Sequence, residues 1–214
     1  MISATKSRMK TIGLTGNIAS GKSTVAAMLV ARGAEHLDAD RLVHELYQPG
    51  SALVDTIAAR FGEGVVAADG SIDRRVLGRI VFGDASALAD LEAIVHPYTT
   101  RLIAERMRAV ASRPDPPPAL VIEAVKLIEV GRHKVVDSLW FVVASPETQR
   151  KRLVEARGWR LEEANARLAA QAPLEPRLAL ADEVIRNDGT LQALEVQVAA
   201  AWQRLIVAHD EALC

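Results

Sequence analysis

Residues Gly16 to Thr24 read Gly-Asn-Ile-Ala-Ser-Gly-Lys-Ser-Thr, a complete G-x-x-x-x-G-K-[ST] loop. No other feature constrains the chain as strongly, because such a loop works only between a buried strand and a helix. Both flanks are present: the apolar run Thr11-Ile12-Gly13-Leu14-Thr15 precedes it, and the helical pattern Val25, Met28, Leu29 follows. Gly16 and Gly21 remove side-chain clash, so that backbone N–H groups of the loop form a concave anion site. The helix opening near Gly21 adds about half a positive charge at its N-terminus. Lys22 reaches the β- and γ-phosphates, and the Ser23 hydroxyl is placed to ligate Mg²⁺. Gly16, Ala19, Ser20, Gly21, Lys22, Ser23 and Thr24 are therefore the expected nucleotide-binding set. The chain is expected to bind a nucleoside triphosphate with Mg²⁺.

The remaining composition narrows the class. The 214 residues suffice for one α/β domain with insertions, and half are hydrophobic with only 4% aromatic, so Leu, Val, Ile and Ala must fill the core. A net charge of −1 gives no reason to expect a nucleic-acid partner. The single cysteine, Cys214, leaves no internal disulfide and suits a reducing cytoplasm. No apolar run is long enough to span a bilayer, and the first eight residues lack the apolar core of a signal peptide. Met9 stands directly before the first strand as an alternative start, with 1–8 expected as a disordered extension. The expectation is a cytoplasmic protein without membrane or nucleic-acid partners, a monomer or weak homo-oligomer.

Apolar runs suited to buried parallel strands lie at 11–15, 119–123 and 139–144, with weaker ones at 34–37 and 182–186. Helical periodicity between them predicts βαβ units: a three-layer P-loop fold with a five-stranded, mainly parallel sheet. Residues 50–113 contain no convincing strand and end in Pro114-Asp115-Pro116-Pro117-Pro118, a stiff connector. They read as a helical insertion able to hold an acceptor, with the core formed by 9–49 and 114–214. Residues 147–178 carry Arg150, Lys151, Arg152, Arg157, Arg160, Arg167 and Arg177 on two helical stretches, a density that suggests a lid over phosphates.

Several side chains could carry chemistry. Asp38-x-Asp40 follows the second strand, and in extended chain residues i and i+2 project to one side, so either carboxylate could orient an incoming hydroxyl. Asp38 reads equally well as the N-cap of the helix bearing Leu42, Val43, Leu46 and Tyr47. Glu123 ends the most apolar strand in the manner of a Walker B acid, or as a charge facing solvent; Lys126 and Glu129 contact substrate or pair with each other. His96-Pro97 interrupts a helical pattern and puts His96 at a helix boundary. One or two of the lid arginines are expected at the β/γ-phosphates, the others on solvated faces. Asn187, after the last strand, is a turn residue or an adenine contact.

Taken together, these motifs resemble the dephospho-coenzyme A kinase family. The match runs through Gly13-Leu14-Thr15-Gly16, Ser20-Gly21-Lys22-Ser23-Thr24-Val25, Leu37-Asp38-Ala39-Asp40, Gly70-Ser71-Ile72-Asp73-Arg74, Leu91-Glu92-Ala93-Ile94-Val95-His96-Pro97 and Ala181-Asp182-Glu183-Val184-Ile185-Arg186-Asn187-Asp188-Gly189. The resemblance implies transfer of the ATP γ-phosphate to the ribose 3′-hydroxyl of dephospho-CoA. It implies Asp40 as the catalytic carboxylate with Lys22, and Arg152 as the lid arginine, although Arg157 competes for that role. It further implies Asn187 on the adenine side, and Asp38, Arg74, His96 and Glu123 toward the acceptor. Three departures stand out: Asn17 and Ala19 replace glycines of the family's loop, Lys126 stands where an apolar residue is usual, and the segment from Gln149 to Arg157 is one residue longer. The competing readings are another small-molecule P-loop kinase and a non-catalytic ATP-binding module. A GTPase switch is disfavoured because no Asn-Lys occurs for a guanine signature.

Overall fold

The computed structural model describes residues 8–210. Of the extension expected at 1–8, residues 1–7 lie outside the described residues, as does Cys214; Arg8 lies inside them and pairs with Asp137 at 2.6 Å. The chain divides into two compact units, one built from residues up to Leu37 and from Arg113 onward, the other from Asp38 to Ser112.

The first unit is built on β1 (Lys10–Gly16), β2 (Glu35–Asp38), β3 (Ala119–Glu123), β4 (Ser138–Val143) and β5 (Glu183–Arg186), in the sheet order β2-β3-β1-β4-β5. The pairings of β1 with β3, β1 with β4 and β4 with β5 are parallel. β1 lies at the centre, so the loop after Gly16 leaves the sheet where neighbouring strands follow opposite connections, the usual ligand crevice of such sheets. The inner strands β3, β1 and β4 are mainly apolar because both faces are covered, whereas the edge strands β2 and β5 are partly polar and only partly buried. On one face α1 (Lys22–Val30) and α9 (Leu191–Asp210) bring Val25, Leu29, Leu194, Val198 and Trp202 against Ile12, Leu14, Val121, Trp140 and Ile185. On the other, a β-carbon at Gly13 would lie 3.1 Å from Val136 and 3.2 Å from Leu127, so the chain after β3 packs directly on the strand backbone. Each fully buried Leu or Ile contributes about 1.5–3 kcal/mol. That outweighs surface pairs such as Arg204–Glu183, which solvent and salt screen. The rest of this unit comprises α6 (Pro146–Lys151), a π turn at Arg152–Ala156, α7 (Leu161–Ala169) and α8 (Glu175–Leu178). The expected pair of helical stretches is therefore more broken than the sequence pattern suggests.

The second unit contains α2 (Ala39–Leu46), α3 (Ala52–Phe61), α4 (Arg74–Phe82) and α5 (Ala85–Ala111). Its core is Leu53, Val54, Ile57, Val65, Ile72, Leu77, Val81, Ala87 and Val95. Two expectations are corrected here. Asp40 is not in extended chain: the strand ends at Asp38, whose Oδ1 accepts from the N–H groups of Asp40 and Arg41 and caps α2. His96 is not at a helix boundary, because α5 runs through Pro97 without a break. A proline there forfeits one backbone hydrogen bond. The helix continues because Val95, Thr99 and Ile103, four residues apart, keep one buried face on both sides of it.

Asp73 and Asp84 cap α4 and α5. Hydrogen bonds from the Val76 N–H to Asp73 and from the Ser86 hydroxyl to Asp84 hold both carboxyls below the usual range. The unfolded chain therefore binds these protons at a higher pH than the folded one. The caps' contribution is complete above about pH 4 and is lost as pH falls through the lowered folded values. Thermal unfolding followed from pH 6 to pH 3 should show a falling midpoint below about pH 4. The fall should be smaller in Asp73→Asn/Asp84→Asn, where asparagine caps without titrating. An identical fall in both proteins would remove the caps as its cause.

Candidate active site

The phosphate loop is held from several sides. Ser20 N–H closes it on Asn17 O at 3.2 Å, and α1 starts at Lys22 with Gly21 as its left-handed N-cap (φ 97°) and no side-chain cap. The uncapped N–H groups of α1 and the helix dipole thus face the loop. Gly21 is required twice: by its φ, and because a β-carbon would sit 2.1 Å from Asn187 Nδ2. Ala19 sits at φ 53°, the one non-glycine residue in the left-handed region among the described residues. That conformation costs an alanine about 1–2 kcal/mol. It is retained because Ala19 is buried against Leu153 and Ala164. Ser20 Oγ is buried without a hydrogen-bond partner.

Side chains far away in sequence brace the same loop. Gln171 Oε1 accepts from Ile18 N–H at 2.9 Å, and its amide reaches Gln149, which in turn donates to Ala144 O. Arg177 reaches Asn17 Oδ1 at 3.4 Å, lies over the Phe141 ring and pairs with Glu129. Glu129 is therefore engaged with Arg177. Asn187 is buried and donates its amide to Ser20 O at 2.7 Å, so it is not a solvated turn residue. Next to it, burial pushes the Asp188 carboxyl up. Bonds from Ser145 and Thr148 and the charge of Arg152 outweigh this and hold it below the usual range.

These pieces surround a cavity of about 830 Å³. Ala19, Gly21, Lys22, Ser23, Thr24, Glu123, Arg152 and Asn187 all line it, while Gly16 and Ser20 stand behind it. Lys22 Nζ lies 3.2 Å from Gly16 O and 3.3 Å from Asn17 O, over the mouth of the loop. Ser23 Oγ lies 3.5 Å from Glu123 Oε1, and the other carboxylate oxygen of Glu123 is 3.1 Å from His36 Nε2. Glu123 thus faces the phosphate loop rather than solvent. Trp159, Leu191 and Leu194 provide apolar lining, and Arg157 and Arg167 two further cations.

The Ser23 hydroxyl and the Glu123 carboxylate, together with the oxygens of a phosphate held in the N–H cradle, are the hard donors that suit Mg²⁺. Among the described residues no group of three or more His, Cys, Asp or Glu could hold a metal by itself, so phosphate oxygens must complete the coordination of any such ion.

The second unit has its own cavity, of about 440 Å³, lined by Asp40, His44, Tyr47, Arg74, Leu77 and Phe82 among others. Asp40 is in the first turn of α2 and Arg74 opens α4. Burial pushes the Tyr47 phenol up, with the Arg74 charge pulling it partly back. Of the residues expected toward the acceptor, Arg74 shares this cavity with Asp40, the expected catalytic carboxylate; Asp38 is committed to capping, His96 is not among the lining residues, and Glu123 lines the cavity at the phosphate loop.

A parallel sheet with a phosphate loop on its central strand, a lysine over the loop and arginines around one cavity define a P-loop phosphotransferase. The family model for dephospho-CoA kinase matches residues 10–193. The chain is 47% identical over 196 residues to a dephospho-CoA kinase of Symbiobacterium thermophilum, covering 91% of this chain and 81% of that protein. A relative of the same description from Geobacter sulfurreducens is 44% identical, covering 92% and 98%. A solved dephospho-CoA kinase from Campylobacter jejuni superposes with a TM-score of 0.69 at 25% identity, over 92% of this chain and 98% of that one. The chain belongs to the dephospho-CoA kinase family, whose members are ATP-dependent kinases.

His36, Trp159 and the Gln149–Gln171 brace were not singled out as site residues from the sequence. His36 meets Glu123 only because β2 and β3 are neighbours in the sheet, which no local spacing reveals.

Proposed function

We propose that this chain transfers the γ-phosphate of ATP to the 3′-hydroxyl of the ribose of dephospho-CoA, giving coenzyme A and ADP. The observation that carries this reading is the convergence of Gly21, Lys22, Ser23, Thr24 and Glu123 on one cavity in a chain of this family. The loop N–H groups and Lys22 hold the β- and γ-phosphates. Ser23 and Glu123, the latter steadied by His36, would hold Mg²⁺ beside the phosphates. When bound, Mg²⁺ neutralises charge on the phosphate oxygens. Phosphoryl transfer passes through a loose transition state with charge spread over the phosphoryl oxygens, so positioning and cations provide most of the rate. Asp40 orients the acceptor hydroxyl and takes its proton, and the cavity it shares with Arg74 and Tyr47 receives the acceptor. Segment 147–178 acts as the lid and residues 50–113 as the acceptor domain. The lone cysteine fits a reducing cytoplasm.

ADP release with Mg-ATP, with and without dephospho-CoA and alongside AMP, adenosine and gluconate, tests the reaction. Turnover specific to dephospho-CoA is expected; turnover on another acceptor would discard the acceptor assignment. Glu123→Gln should raise the Mg²⁺ concentration needed for tight ATP binding by about tenfold, the scale seen when a residue around a metal's ligands is lost. Calorimetric ATP titrations at stepped Mg²⁺ would read this, and an unchanged requirement would return Glu123 to a structural role.

A further inference from the structure

The two arginines that bracket the π turn, Arg152 and Arg157, line the same cavity although they are five residues apart. At about 100° per residue, five residues of regular α-helix would leave their side chains roughly 140° apart. A π turn, with its wider i to i+5 repeat, brings residue i+5 about one full turn round and back to the same side. Their surroundings differ sharply. Arg152 is half-buried: its Nη1 donates to Ala19 O and Ser20 O, both at 3.1 Å, and its Nη2 to Asn187 O at 2.8 Å. Both Nη1 hydrogens are thereby used on the loop's own carbonyls. Arg157 is exposed and, among the described residues, no hydrogen bond or ion pair holds its guanidinium.

We propose that the π turn divides the work between these two arginines. Arg152 is a positioning residue that ties the phosphate loop to the Asn187 strut, and Arg157 is the catalytic arginine that meets the phosphate chain. The proposal rests on the reading of this cavity as the ATP site. Three carbonyl acceptors fix the Arg152 guanidinium before any nucleotide arrives. Moving it onto phosphate would leave Ala19 O and Asn187 O to find other donors, and Ser20 O with only its bond from the Asn187 amide, which is costly in a largely buried place. Arg157 gives up only solvent when it turns onto an anion, and its planar fork can engage phosphate oxygens bidentately.

The test compares Arg157→Ala, Arg157→Lys, Arg152→Ala, Arg152→Lys and Arg167→Ala in the full chain. It uses ATP and ADP affinities by calorimetry, thermal midpoints, and kcat with dephospho-CoA. Arg157→Ala should lower kcat by about 10²-fold or more, the scale of one lost transition-state donor, and Arg157→Lys should recover part of it. Its ADP affinity and thermal midpoint should stay near those of the parent. Arg152→Ala should weaken ATP and ADP alike and lower the midpoint. Arg152→Lys should not rescue it, since a single ammonium cannot span three carbonyls in the guanidinium's geometry. A merely structural Arg152 would lower the midpoint and leave both affinities unchanged, which would overturn its role. The proposal is equally overturned if Arg157→Ala keeps parental kcat, or if the loss falls on Arg167→Ala instead. Failure of the parent chain itself to bind ATP would instead strike the underlying assignment of the cavity.

Discussion

Lys22→Ala is expected to reduce phosphoryl transfer by about 10³-fold or more, close to abolition, while leaving the fold intact. The loop around Lys22 presents neutral groups: backbone N–H donors, the uncapped start of α1 and the Ser23 hydroxyl. The Lys22 ammonium, 3.2 Å from Gly16 O and 3.3 Å from Asn17 O, is the cation fixed directly over them. Removing one preorganised donor to developing charge costs about 10²–10³ in rate, and a full positive charge in a partly desolvated loop is worth at least the upper end of that range. Alanine is the best helix former, and Lys22 is the first residue of α1, so the helix has no reason to fray. Circular dichroism would check the fold and ADP release the rate. A variant turning over within about tenfold of the parent would remove Lys22 from the centre of the mechanism.

Asp40→Asn is expected to cut kcat by about 10²-fold or more, the scale of a positioned acid–base group, with ATP affinity nearly unchanged. The structure separates this carboxylate from its neighbour. Asp38 Oδ1 holds the N–H groups of Asp40 and Arg41, whereas Asp40 is exposed in the first turn of α2 and lines the cavity shared with Arg74 and Tyr47. Asparagine caps helices as well as aspartate does, so Asp38→Asn should remain close to the parent in both stability and rate. If instead Asp38→Asn carried the kinetic loss and Asp40→Asn did not, the two roles would have to be exchanged. A pH profile would add a second readout, since loss of the base removes the acidic limb of kcat/KM.

Local chemistry explains which parts were readable in advance. All five strands fall where the sequence pattern puts them: β1, β3 and β4 are buried on both faces and must be mainly apolar, while the edge strands β2 and β5 are partly polar and carry the weaker signals. The phosphate loop, the cap at Asp38 and the acid at the end of β3 depend on residues within a few positions of each other, and the chain order displays them. The His96 expectation fails for a related reason. Proline's local cost argues for a helix end, but the buried face made by Val95, Thr99 and Ile103 outweighs one missing hydrogen bond, so α5 continues.

Membership of the kinase family, the five-stranded sheet and the residues of the nucleotide loop were determined by the sequence itself, because each follows from residue type and short spacing. Tertiary structure alone decided how those residues are held. Asn187 reaches Ser20 O across 167 positions, Arg152 reaches Ala19 O across 133, and His36 reaches Glu123 across 87. Such contacts form when parallel strands bring distant segments to one edge of the sheet, and no local pattern encodes them. The same holds for the π turn at Arg152–Ala156: regular α-helix would set Arg152 and Arg157 roughly 140° apart, and only the packed backbone turns both onto one cavity.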